Sequence, residues 1–569
     1  MSSPTPSGIY ARVIIDELIR NGMRDAVLCP GSRSSALAYA LKQAEAAGRL
    51  TLHVRIDERS AGFLALGLAG ETDRPVAVVC TSGSAVANLH PAAVEARYNH
   101  RQVVFLTANR PPEMQGVGAQ QTINQQGIFA HDVVDELILP PAPHSTAELA
   151  DQAPALNAHW RSALCRTLLR SRQARGPIHI DAPFRTPLVS PADAGESADL
   201  QLPDAWQGRP DNAPWTAHNP APIIDLTRRT LVVAGQGSWE APELAGIPTL
   251  CEPGGDTSGM IINPLALPLL SPEQVVVVGK PTLHRSLTAL LAQPDLPQIV
   301  LAPEYALTDW ADVSGNAHTV ASTISTVGQT PADWLDECAA AHLAATHHCE
   351  NVLKKLSTAP QPSGLQVAAV VGDVLCDNPH IRGFLGSSNP VRDLAVTHPE
   401  AGPQCVVNRG ASGIDGNIAT ATGIALRHPQ PVIALLGDLA AVHDMGSLLT
   451  PVLEQQPRNL TIVVANDQGG GIFATLEQGE SHYEADFERI FGTPHQLNLA
   501  ELASALGVGY QQCSLSELAA ELEAVTNTAP GSTPNPGVRI LEVVTSRTDR
   551  HALSHALAQV PSPTAEEKG

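Results

Sequence analysis

The chain has 569 residues, 43% of them hydrophobic, and a formal charge of −22 from 35 basic and 57 acidic side chains. At roughly 150 residues per domain, this length indicates three or four domains, each with enough apolar residues for a core. The excess of acidic residues argues against a nucleic-acid-binding protein, so any anionic ligand must be held by local arginine or lysine side chains.

The first part of the chain alternates short apolar runs with helical stretches rich in alanine and leucine. This pattern is typical of parallel sheets with helices on both faces. Residues 1–190 therefore form a predicted α/β domain, and the polar, proline-rich residues 191–222 form a predicted linker. The predicted strands of this domain are 25–29, 52–56, 76–80, 103–107 and 177–181, with a helix over 60–68.

The same alternation continues to the end of the chain. Residues 223–356 form a predicted central domain, and residues 357–362 a short linker. Residues 363–555 form a third predicted domain, followed by a tail over 556–569. The expected fold class is α/β, with three successive doubly wound and mainly parallel domains. The predicted strands are 230–234, 275–278 and 298–301, then 382–385, 404–407, 432–436, 461–465 and 538–544, with a helix over 333–356.

The nine cysteines are widely spaced and include no Cys-x-x-Cys pair. In a chain of this length, such a distribution is typical of reduced, buried thiols rather than of a disulfide framework or a zinc site. The start of the chain lacks the pattern of a signal peptide, and no apolar run approaches the ~20 residues of a membrane span. We therefore expect a cytoplasmic protein with no membrane span.

Two aspartates follow neighbouring predicted strands of the third domain. Asp438 comes after the strand 432–436, and Asp467 comes after the strand 461–465. Open α/β sheets bind ligands at the carboxyl ends of their strands, and carboxylate and phosphate oxygens are the ligands that Mg²⁺ or Ca²⁺ requires. The glycines at 469–471 would let the backbone approach a diphosphate. One aspartate or one glycine run alone is an ordinary strand end, but the matched pair predicts a metal and diphosphate site.

These two segments resemble the metal motif of thiamine-diphosphate (ThDP) enzymes. In that motif, Gly-Asp-Gly is followed roughly 25 to 30 residues later by Asn-Asn. Leu439 stands at the third position here, and Asp467 replaces the second asparagine. The resemblance implies that Asp438, Asp467 and the Gly469 carbonyl bind Mg²⁺, with Mn²⁺ as an alternative ion, and that the metal holds the diphosphate of ThDP. It also implies cofactor contacts from Ser82, Gly386, Ser388, Ser412, Ile414, Gly437, Leu439, Ala440, Gly470, Gly471, Ile472 and Phe473.

Glu58 lies between the predicted strand 52–56 and the predicted helix 60–68. Acidic residues are favoured at helix N-termini, so Asp57 and Glu58 could be ordinary first-turn residues. The resemblance to ThDP enzymes instead implies that Glu58 is the catalytic acid that exchanges a proton with the coenzyme's aminopyrimidine ring. It further implies that one subunit supplies Glu58 and another the metal site. A homodimer or homotetramer with its active site at the subunit interface is therefore expected.

The chain resembles one group of ThDP enzymes from residue 8 to about residue 550, and the resemblance is most specific in three segments. They are Pro-Gly-Ser-Arg-Ser at 30–34, Asn-Arg-Gly-Ala-Ser-Gly-Ile-Asp-Gly at 408–416 and Gly-Gly-Gly-Ile-Phe at 469–473. The group is the 2-succinyl-5-enolpyruvyl-6-hydroxy-3-cyclohexene-1-carboxylate synthases of menaquinone biosynthesis. Such enzymes are transferases that decarboxylate 2-oxoglutarate and add the succinyl carbanion to isochorismate by 1,4-addition.

These substrates carry several carboxylates, which arginine binds in bidentate fashion. The resemblance implies that Arg392 and Arg409, with Ser388, hold the succinyl carboxylate, and it counts both arginines and Gln121 among the catalytic residues. The roles of Lys280 and His284 stay open, and Arg285 is as well explained as a surface residue. The resemblance implies that isochorismate is contacted by Ser32, Arg33, Arg110, Gln121 and Arg285. It also implies that Ile472, Phe473 and Leu476 form the walls of the reaction site. Ile414 is expected beneath the cofactor.

Two alternatives remain at this point. Another ThDP-dependent decarboxylase or carboligase, such as an acetohydroxyacid synthase acting on pyruvate, would share the coenzyme residues. Its substrate has no distal carboxylate, so Arg392 and Arg409 would have no ligand. A noncatalytic protein of the same fold would be marked by loss of Glu58 or of the metal aspartates, and neither is lost.

Overall fold

The computed structural model describes residues 3–193, 202–526, 537–547 and 550–563. The chain forms two compact units, Met1–Pro222 with Ala289–Thr323, and Ile223–Thr288 with Ile324–Gly569. The predicted domain boundaries at 190, 222, 356 and 362 stay a prediction. Part of the predicted linker, residues 194–201, and part of the predicted tail, residues 564–569, lie outside the described residues.

The first unit contains a six-stranded sheet with the order β2-β1-β3-β4-β6-β5, in which every pair is parallel. The strands predicted from the apolar runs are confirmed, with ends that differ by a few residues. The sheet also has an edge strand, β5, whose residues are only half-buried. The strands are β1 (Asp25–Leu28), β2 (Thr51–Val54), β3 (Val76–Cys80), β4 (Val103–Asn109), β5 (Asp135–Ile138) and β6 (Ile178–Pro183).

Helices cover both faces of this sheet because its inner strands are apolar on both sides. In β3, Ala77 and Val79 belong to one core cluster, while Val76, Val78 and Cys80 belong to another. This division follows from the two-residue period of a strand, and it confirms a doubly wound sheet. The helices are α1 (Pro6–Arg20), α2 (Ser35–Ala46), α3 (Glu58–Thr72), α4 (Ser84–Asn88), α5 (His90–Tyr98), α6 (Thr146–Asp151) and α7 (Ala153–Ala174).

Helix α3 is longer than the predicted helix over 60–68. Asp57 is its N-cap residue, because the Asp57 carboxylate accepts a hydrogen bond from the Arg59 N–H at 2.9 Å. Capping of this kind satisfies a backbone donor that the helix itself leaves free. Glu58 is therefore the first residue of α3, whereas the sequence placed it before a helix over 60–68.

The second unit contains another six-stranded parallel sheet, in the order β17-β16-β18-β19-β21-β20. Counted within its own sheet, this order is the same as that of the first unit. Alternate residues of β18 again serve two cores, Ile433 and Leu435 on one face and Ala434 and Leu436 on the other. The strands are β16 (Arg382–Leu385), β17 (Cys405–Val407), β18 (Val432–Gly437), β19 (Leu460–Asn466), β20 (Gly509–Gln512) and β21 (Arg539–Val544).

The helices of this region pack on both sheet faces. Helix α10 begins with a capping box in which the Ser363 side chain accepts from the Gln366 N–H and the Gln366 side chain accepts from the Ser363 N–H. The helices are α9 (Ala332–Leu356), α10 (Gly364–Asp377), α11 (Asn389–Thr397), α12 (Asn417–Ala425), α13 (Asp438–Asp444), α14 (Glu484–Phe487), α15 (Leu499–Ala505), α16 (Leu515–Thr526) and α17 (Arg550–Ala558).

The middle of the chain contributes shorter strands to both units. The second unit holds four strands in the order β11-β10-β9-β12, and a separate parallel pair of β8 and β15. The first unit holds three strands in the order β13-β14-β7. The elements are β7 (Ala217–His218), β8 (Ile223–Asp225), β9 (Thr230–Ala234), β10 (Pro248–Cys251), β11 (Met260–Ile261), β12 (Gln274–Val278), α8 (Arg285–Leu291), β13 (Gln298–Leu301), β14 (Thr319–Ala321) and β15 (Ser325–Val327).

Candidate active site

Asp438 and Asp467 lie side by side at the carboxyl edge of the second unit's sheet. Strands β18 and β19 are neighbours with Gly437 opposite Ala465, so both strands end at the same level. Asp438 is only 2% exposed. Burial first, and then the charge of Asp438, raise the pKa of Asp467 to about 7. The buried Asp438 and the half-buried Asp467 therefore form a place where a cation is stabilised.

The glycines after Asp467 are required by the close approach of the backbone. A Cβ atom on Gly471 would lie 2.0 Å from the Asp467 Oδ2 atom, and one on Gly470 would lie 2.3 Å from the Phe491 carbonyl oxygen. A Cβ atom on Gly469 would lie 2.1 Å from the Gly492 carbonyl oxygen. Any other residue would clash at these positions, so the run forms a tight backbone cradle beside the two acids.

One pocket of the second unit brings most of the predicted coenzyme and metal residues together. Its other walls are formed by residues that follow β16 and β21, including Asn389, Asp393 and Arg550. The pocket therefore lies where open α/β sheets bind ligands. The predicted residues that line it are Ser388, Ile414, Gly437, Asp438, Leu439, Ala440, Asp467, Gly469, Gly470, Gly471, Ile472 and Phe473.

Three predicted residues of the same region do not line this pocket. Gly386 directly follows β16, and its N–H donates to the Leu435 carbonyl at 3.0 Å. Ser412 has a positive φ of 60° and donates from Oγ to the Arg409 carbonyl at 3.4 Å. Leu476 follows the short helix Gly471–Thr475 and is half-buried. Their proposed contacts with ligands stay predictions.

A second cluster of the same unit contains the arginines predicted for the succinyl carboxylate. Arg392 donates from Nη1 to the Ser388 carbonyl at 2.7 Å. Arg409 donates from Nη2 to the Thr282 Oγ1 atom at 2.6 Å and to the Thr282 carbonyl at 2.9 Å. Burial lowers the pKa of Arg392, and the charge of Arg409 lowers it further. Arg392 and Arg409 are therefore neighbouring charges of one cluster, and guanidinium groups bind carboxylates through charge-assisted hydrogen bonds.

His284 belongs to this arginine cluster. Its Nε2 atom is buried and has no hydrogen-bond partner among the described residues. Burial, followed by the charges of Arg392 and Arg409, lowers the pKa of His284 to about 3. The imidazole is therefore neutral at physiological pH, and the positive charge of the cluster comes from the arginines.

This shift predicts a pH effect on stability. The unfolded chain binds a proton to His284 below its ordinary pKa of 6.5, whereas the folded chain does not until about pH 3. The free energy of unfolding therefore decreases as the pH falls below 6.5, by about 1.4 kcal/mol per pH unit. We expect His284→Asn to remove this dependence in denaturant unfolding between pH 7 and 5, and His380→Asn, at an exposed position, to retain it. An unchanged pH dependence in His284→Asn would contradict the buried, neutral histidine.

In the first unit, Ser82, Arg110 and Gln121 form one hydrogen-bonded group at the carboxyl edge of the sheet. Arg110 donates from Nη1 to the Ser82 Oγ atom at 2.6 Å. The Gln121 side chain donates from Nε2 to the Ser82 carbonyl at 2.9 Å, and the Ser82 hydroxyl donates to the Gln121 carbonyl at the same distance. Arg33 is close enough for the charge of Arg110 to lower its pKa, after the larger effect of burial. Two arginines thus face one region, which suits an anionic ligand.

Ser32 and Glu58 lie at the ends of the neighbouring strands. The Ser32 carbonyl accepts from the Ser35 N–H at 3.1 Å in the turn before α2. Glu58 is half-buried, and its charge adds to the effect of burial in raising the pKa of Cys29 and of Cys80. Glu58 therefore lies near the carboxyl ends of β1 and β3, at the same sheet edge as Ser82.

Two models of thiamine pyrophosphate enzyme domains match separate parts of this chain. Residues 10–128 match the N-terminal TPP binding domain of thiamine pyrophosphate enzymes, and residues 393–539 match the C-terminal TPP binding domain. A 2-succinyl-5-enolpyruvyl-6-hydroxy-3-cyclohexene-1-carboxylate synthase (SEPHCHC synthase) of Nocardia farcinica is 46% identical, with 96% of this chain and 98% of that protein covered. The chain belongs to the SEPHCHC synthase family.

Two further SEPHCHC synthases show similar agreement. The Rhodococcus jostii protein is 45% identical, with 97% of this chain and 99% of that protein covered. The Mycolicibacterium smegmatis protein is 45% identical, with 96% of this chain and 98% of that protein covered. The two matched ThDP-binding domains contain part of each of the sheet-edge sites described above. Glu58, Ser82 and Arg110 lie in the N-terminal match, and Asp438 and Asp467 lie in the C-terminal match.

Several residues around the SEPHCHC synthase pocket were not predicted from the sequence. His495 contacts the Asp438 carboxylate, with 2.7 Å between its Nε2 atom and Oδ2. Arg547 donates from Nη1 to the carbonyls of Asp467 at 3.0 Å and Gln468 at 2.7 Å. Arg550 pairs with the buried Asp393. Arg547 and Arg550 follow strand β21, so the search for polar residues after predicted strands that identified Asp438 could also have identified them. His495 lies in a loop without a recognisable motif.

No helix among the described residues is both long enough and apolar enough to cross a membrane. All nine cysteines are free, and eight of them are buried. The described residues contain no cluster of three His, Cys, Asp or Glu side chains that could hold a metal ion by themselves. A metal at Asp438 and Asp467 would therefore need further ligands from the backbone and from a bound anion.

Proposed function

We propose that this chain is a ThDP- and Mg²⁺-dependent transferase of menaquinone biosynthesis. It decarboxylates 2-oxoglutarate and joins the succinyl fragment to isochorismate by 1,4-addition, which gives 2-succinyl-5-enolpyruvyl-6-hydroxy-3-cyclohexene-1-carboxylate. The observation that carries the proposal is the position of Ser388. This residue lines the pocket of Asp438 and Asp467, while its carbonyl accepts a hydrogen bond from Arg392. A carboxylate-binding arginine is thereby tied to the wall of the coenzyme pocket.

The residues of the pocket suit a divalent metal and a diphosphate. The paired carboxylates of Asp438 and Asp467 favour a cation, and Mg²⁺ keeps oxygen ligands from several sources. We assign the metal to these two side chains and the Gly469 carbonyl, with the remaining ligands from the diphosphate. Glycine at 469, 470 and 471 lets this backbone pack closely against the carbonyl oxygens of Gly492 and Phe491 and against Asp467, which sets the shape of the pocket wall. When bound, ThDP supplies the electron sink that allows a 2-oxo acid to lose CO₂.

The arginine pair selects the first substrate. Arg392 and Arg409 supply two guanidinium groups in a partly buried place, where a carboxylate gains charge-assisted hydrogen bonds. The distal carboxylate of 2-oxoglutarate meets this requirement, and pyruvate has no such group. The group around Arg33, Arg110 and Gln121 in turn supports binding of the carboxylates of isochorismate, and we assign Arg285 and Ser32 to the same substrate.

Exposed apolar side chains near Glu58 support self-association. Ile56 is 92% exposed and Tyr98 77% exposed, and Val54 and Phe63 are also exposed large hydrophobic residues of the first unit. Large exposed apolar patches mark protein interfaces, and a second copy of the chain would cover these side chains. We propose a homodimer or homotetramer in which Glu58 of one copy serves the coenzyme whose metal is held by Asp438 and Asp467 of another. The nine free cysteines favour a reducing, cytoplasmic location.

A direct assay tests the proposed reaction. The purified protein with ThDP, Mg²⁺, 2-oxoglutarate and isochorismate is expected to release CO₂ and to form the succinylated product, identified by its mass. Omission of isochorismate should stop product formation. Turnover of pyruvate without turnover of 2-oxoglutarate would favour an acetohydroxyacid-synthase-like enzyme and contradict the proposal.

Arg392→Ala is expected to raise KM for 2-oxoglutarate much more than KM for isochorismate. The loss of one charge-assisted hydrogen bond to a carboxylate should raise KM for 2-oxoglutarate roughly tenfold to hundredfold. Steady-state kinetics with each substrate varied in turn measures both values. Arg427→Ala, at an exposed position of the same unit, is the matched control. Equal increases in both KM values would assign Arg392 to a different role.

A further inference from the structure

A buried acid, Glu252, follows strand β10 in the second unit and has no part in the reaction as described so far. It is only 3% exposed. Its carboxylate accepts hydrogen bonds from the Thr282 N–H at 2.9 Å and the Leu283 N–H at 2.7 Å. Two consecutive amides thus converge on one carboxylate, and hydrogen bonds to an ionised acceptor are stronger than neutral ones. Glu252 therefore fixes the backbone of Thr282 and Leu283.

This fixed segment is the support of Arg409. The guanidinium donates from Nη2 to the Thr282 carbonyl at 2.9 Å and to the Thr282 Oγ1 atom at 2.6 Å, and from Nε to the same Oγ1 atom at 3.2 Å. Three hydrogen bonds to one residue define the plane of the guanidinium. The orientation of Arg409 therefore depends on Thr282, and the position of Thr282 depends on Glu252.

The charge of Glu252 also reaches the arginine pair. Burial lowers the pKa of Arg392 and of Arg409, and the negative charge of Glu252 opposes this effect at both residues. Among the described residues, no hydrogen bond joins Glu252 to either guanidinium, because its oxygens are occupied by the amides. Glu252 thus offsets the repulsion between the two neighbouring cations without itself occupying any of their N–H donors.

We propose that Glu252 is a positioning residue for the subsite that binds the distal carboxylate of 2-oxoglutarate. It touches neither substrate nor coenzyme. It holds Thr282, which orients Arg409, and it supplies the charge that keeps Arg392 and Arg409 together before the substrate arrives. This inference rests on the proposed function, since it assigns Arg392 and Arg409 to that carboxylate.

Glu252→Gln tests the proposal in the holoenzyme, because glutamine keeps the size of the side chain and removes its charge. Its amide NH₂ would also face a backbone N–H, so at least one buried donor loses its acceptor. We expect KM for 2-oxoglutarate to rise roughly tenfold, with much smaller changes in kcat and in KM for isochorismate. The inhibition constant of glutarate, a dicarboxylate without the 2-oxo group, should rise by the same factor. Glu243→Gln, exposed just before β10, is the matched control.

A double variant separates positioning from general damage to the fold. If Glu252 acts through Arg409, then adding Glu252→Gln to Arg409→Ala should raise KM for 2-oxoglutarate little further. If the increases in KM for 2-oxoglutarate of the two single variants multiply in the double variant, the proposal is overturned. An unchanged KM in Glu252→Gln would overturn it as well. If the glutamine variant does not fold, as judged by its thermal midpoint, then Glu252→Asp, which keeps the charge, takes its place in the same comparisons.

The same experiment distinguishes this inference from the proposed function. A wild-type enzyme that does not turn over 2-oxoglutarate overturns the proposed function, and the role of Glu252 with it. A wild-type enzyme that turns over 2-oxoglutarate, together with an unaffected Glu252→Gln variant, overturns only the positioning role.

Discussion

Glu58→Gln is expected to abolish carboligation, with turnover lower by about 10²–10⁴-fold. Glutamine has nearly the same shape as glutamate but has no titratable proton to exchange with the coenzyme's aminopyrimidine ring. Glu58 is the first residue of α3, after the Asp57 cap, so the change leaves the cap and the helix start intact. Product formation under saturating 2-oxoglutarate and isochorismate measures the effect.

Binding of ThDP with Mg²⁺ to this variant, measured by calorimetry, should be weakened far less than turnover, because the metal residues lie elsewhere in the chain. Glu71→Gln is the matched control, since Glu71 lies exposed in the last turn of the same helix. It should retain wild-type turnover. Wild-type turnover in Glu58→Gln would remove Glu58 from the mechanism.

Asp438→Asn is expected to abolish metal-dependent binding of ThDP. Asparagine keeps an oxygen at this position but removes one of the two charges that favour the cation. Loss of groups that merely support metal ligands costs 10- to 100-fold in affinity, so loss of a ligand charge should cost about a hundredfold or more. Titration of the protein with Mg²⁺ at fixed ThDP measures this loss, and Asp377→Asn, at an exposed position of the same unit, is the control.

A second observable accompanies this change. The charge of Asp438 is one of the causes that raise the pKa of Asp467 to about 7. In Asp438→Asn without metal, the pKa of Asp467 should therefore move down toward its ordinary value, which carboxyl NMR shifts can follow. Unchanged metal affinity together with an unchanged Asp467 titration would show that the two carboxylates do not share a site.

The sequence predicted the parts of the site that follow apolar strands. Asp438 and Asp467 follow β18 and β19, which are continuous apolar runs buried on both faces, and such runs are visible without a structure. Glu58 was assigned through the resemblance to ThDP enzymes, because its flanking strand and helix by themselves fit an ordinary first-turn acid. The doubly wound class followed from the same periodicity, and both six-stranded sheets confirm it.

Other parts could not be predicted, for identifiable physical reasons. Strand β10 has only four residues and begins with a proline, so neither the strand nor Glu252 after it was marked by an apolar run. The edge strands β5 and β20 are half-exposed and lack a continuous apolar pattern. His495 meets Asp438 across 57 positions of sequence, and no local pattern encodes a contact of that range.

The central claim is that Glu58 and the pair Asp438 and Asp467 act on one coenzyme from two different copies of the chain. Differently tagged Glu58→Gln and Asp438→Asn chains, each inactive alone, can be co-expressed and the hybrid assembly isolated through both tags. One composite site of the hybrid dimer then combines an intact Glu58 with an intact Asp438, so about half of the wild-type activity is predicted. A hybrid that forms, binds ThDP and remains inactive would contradict the claim.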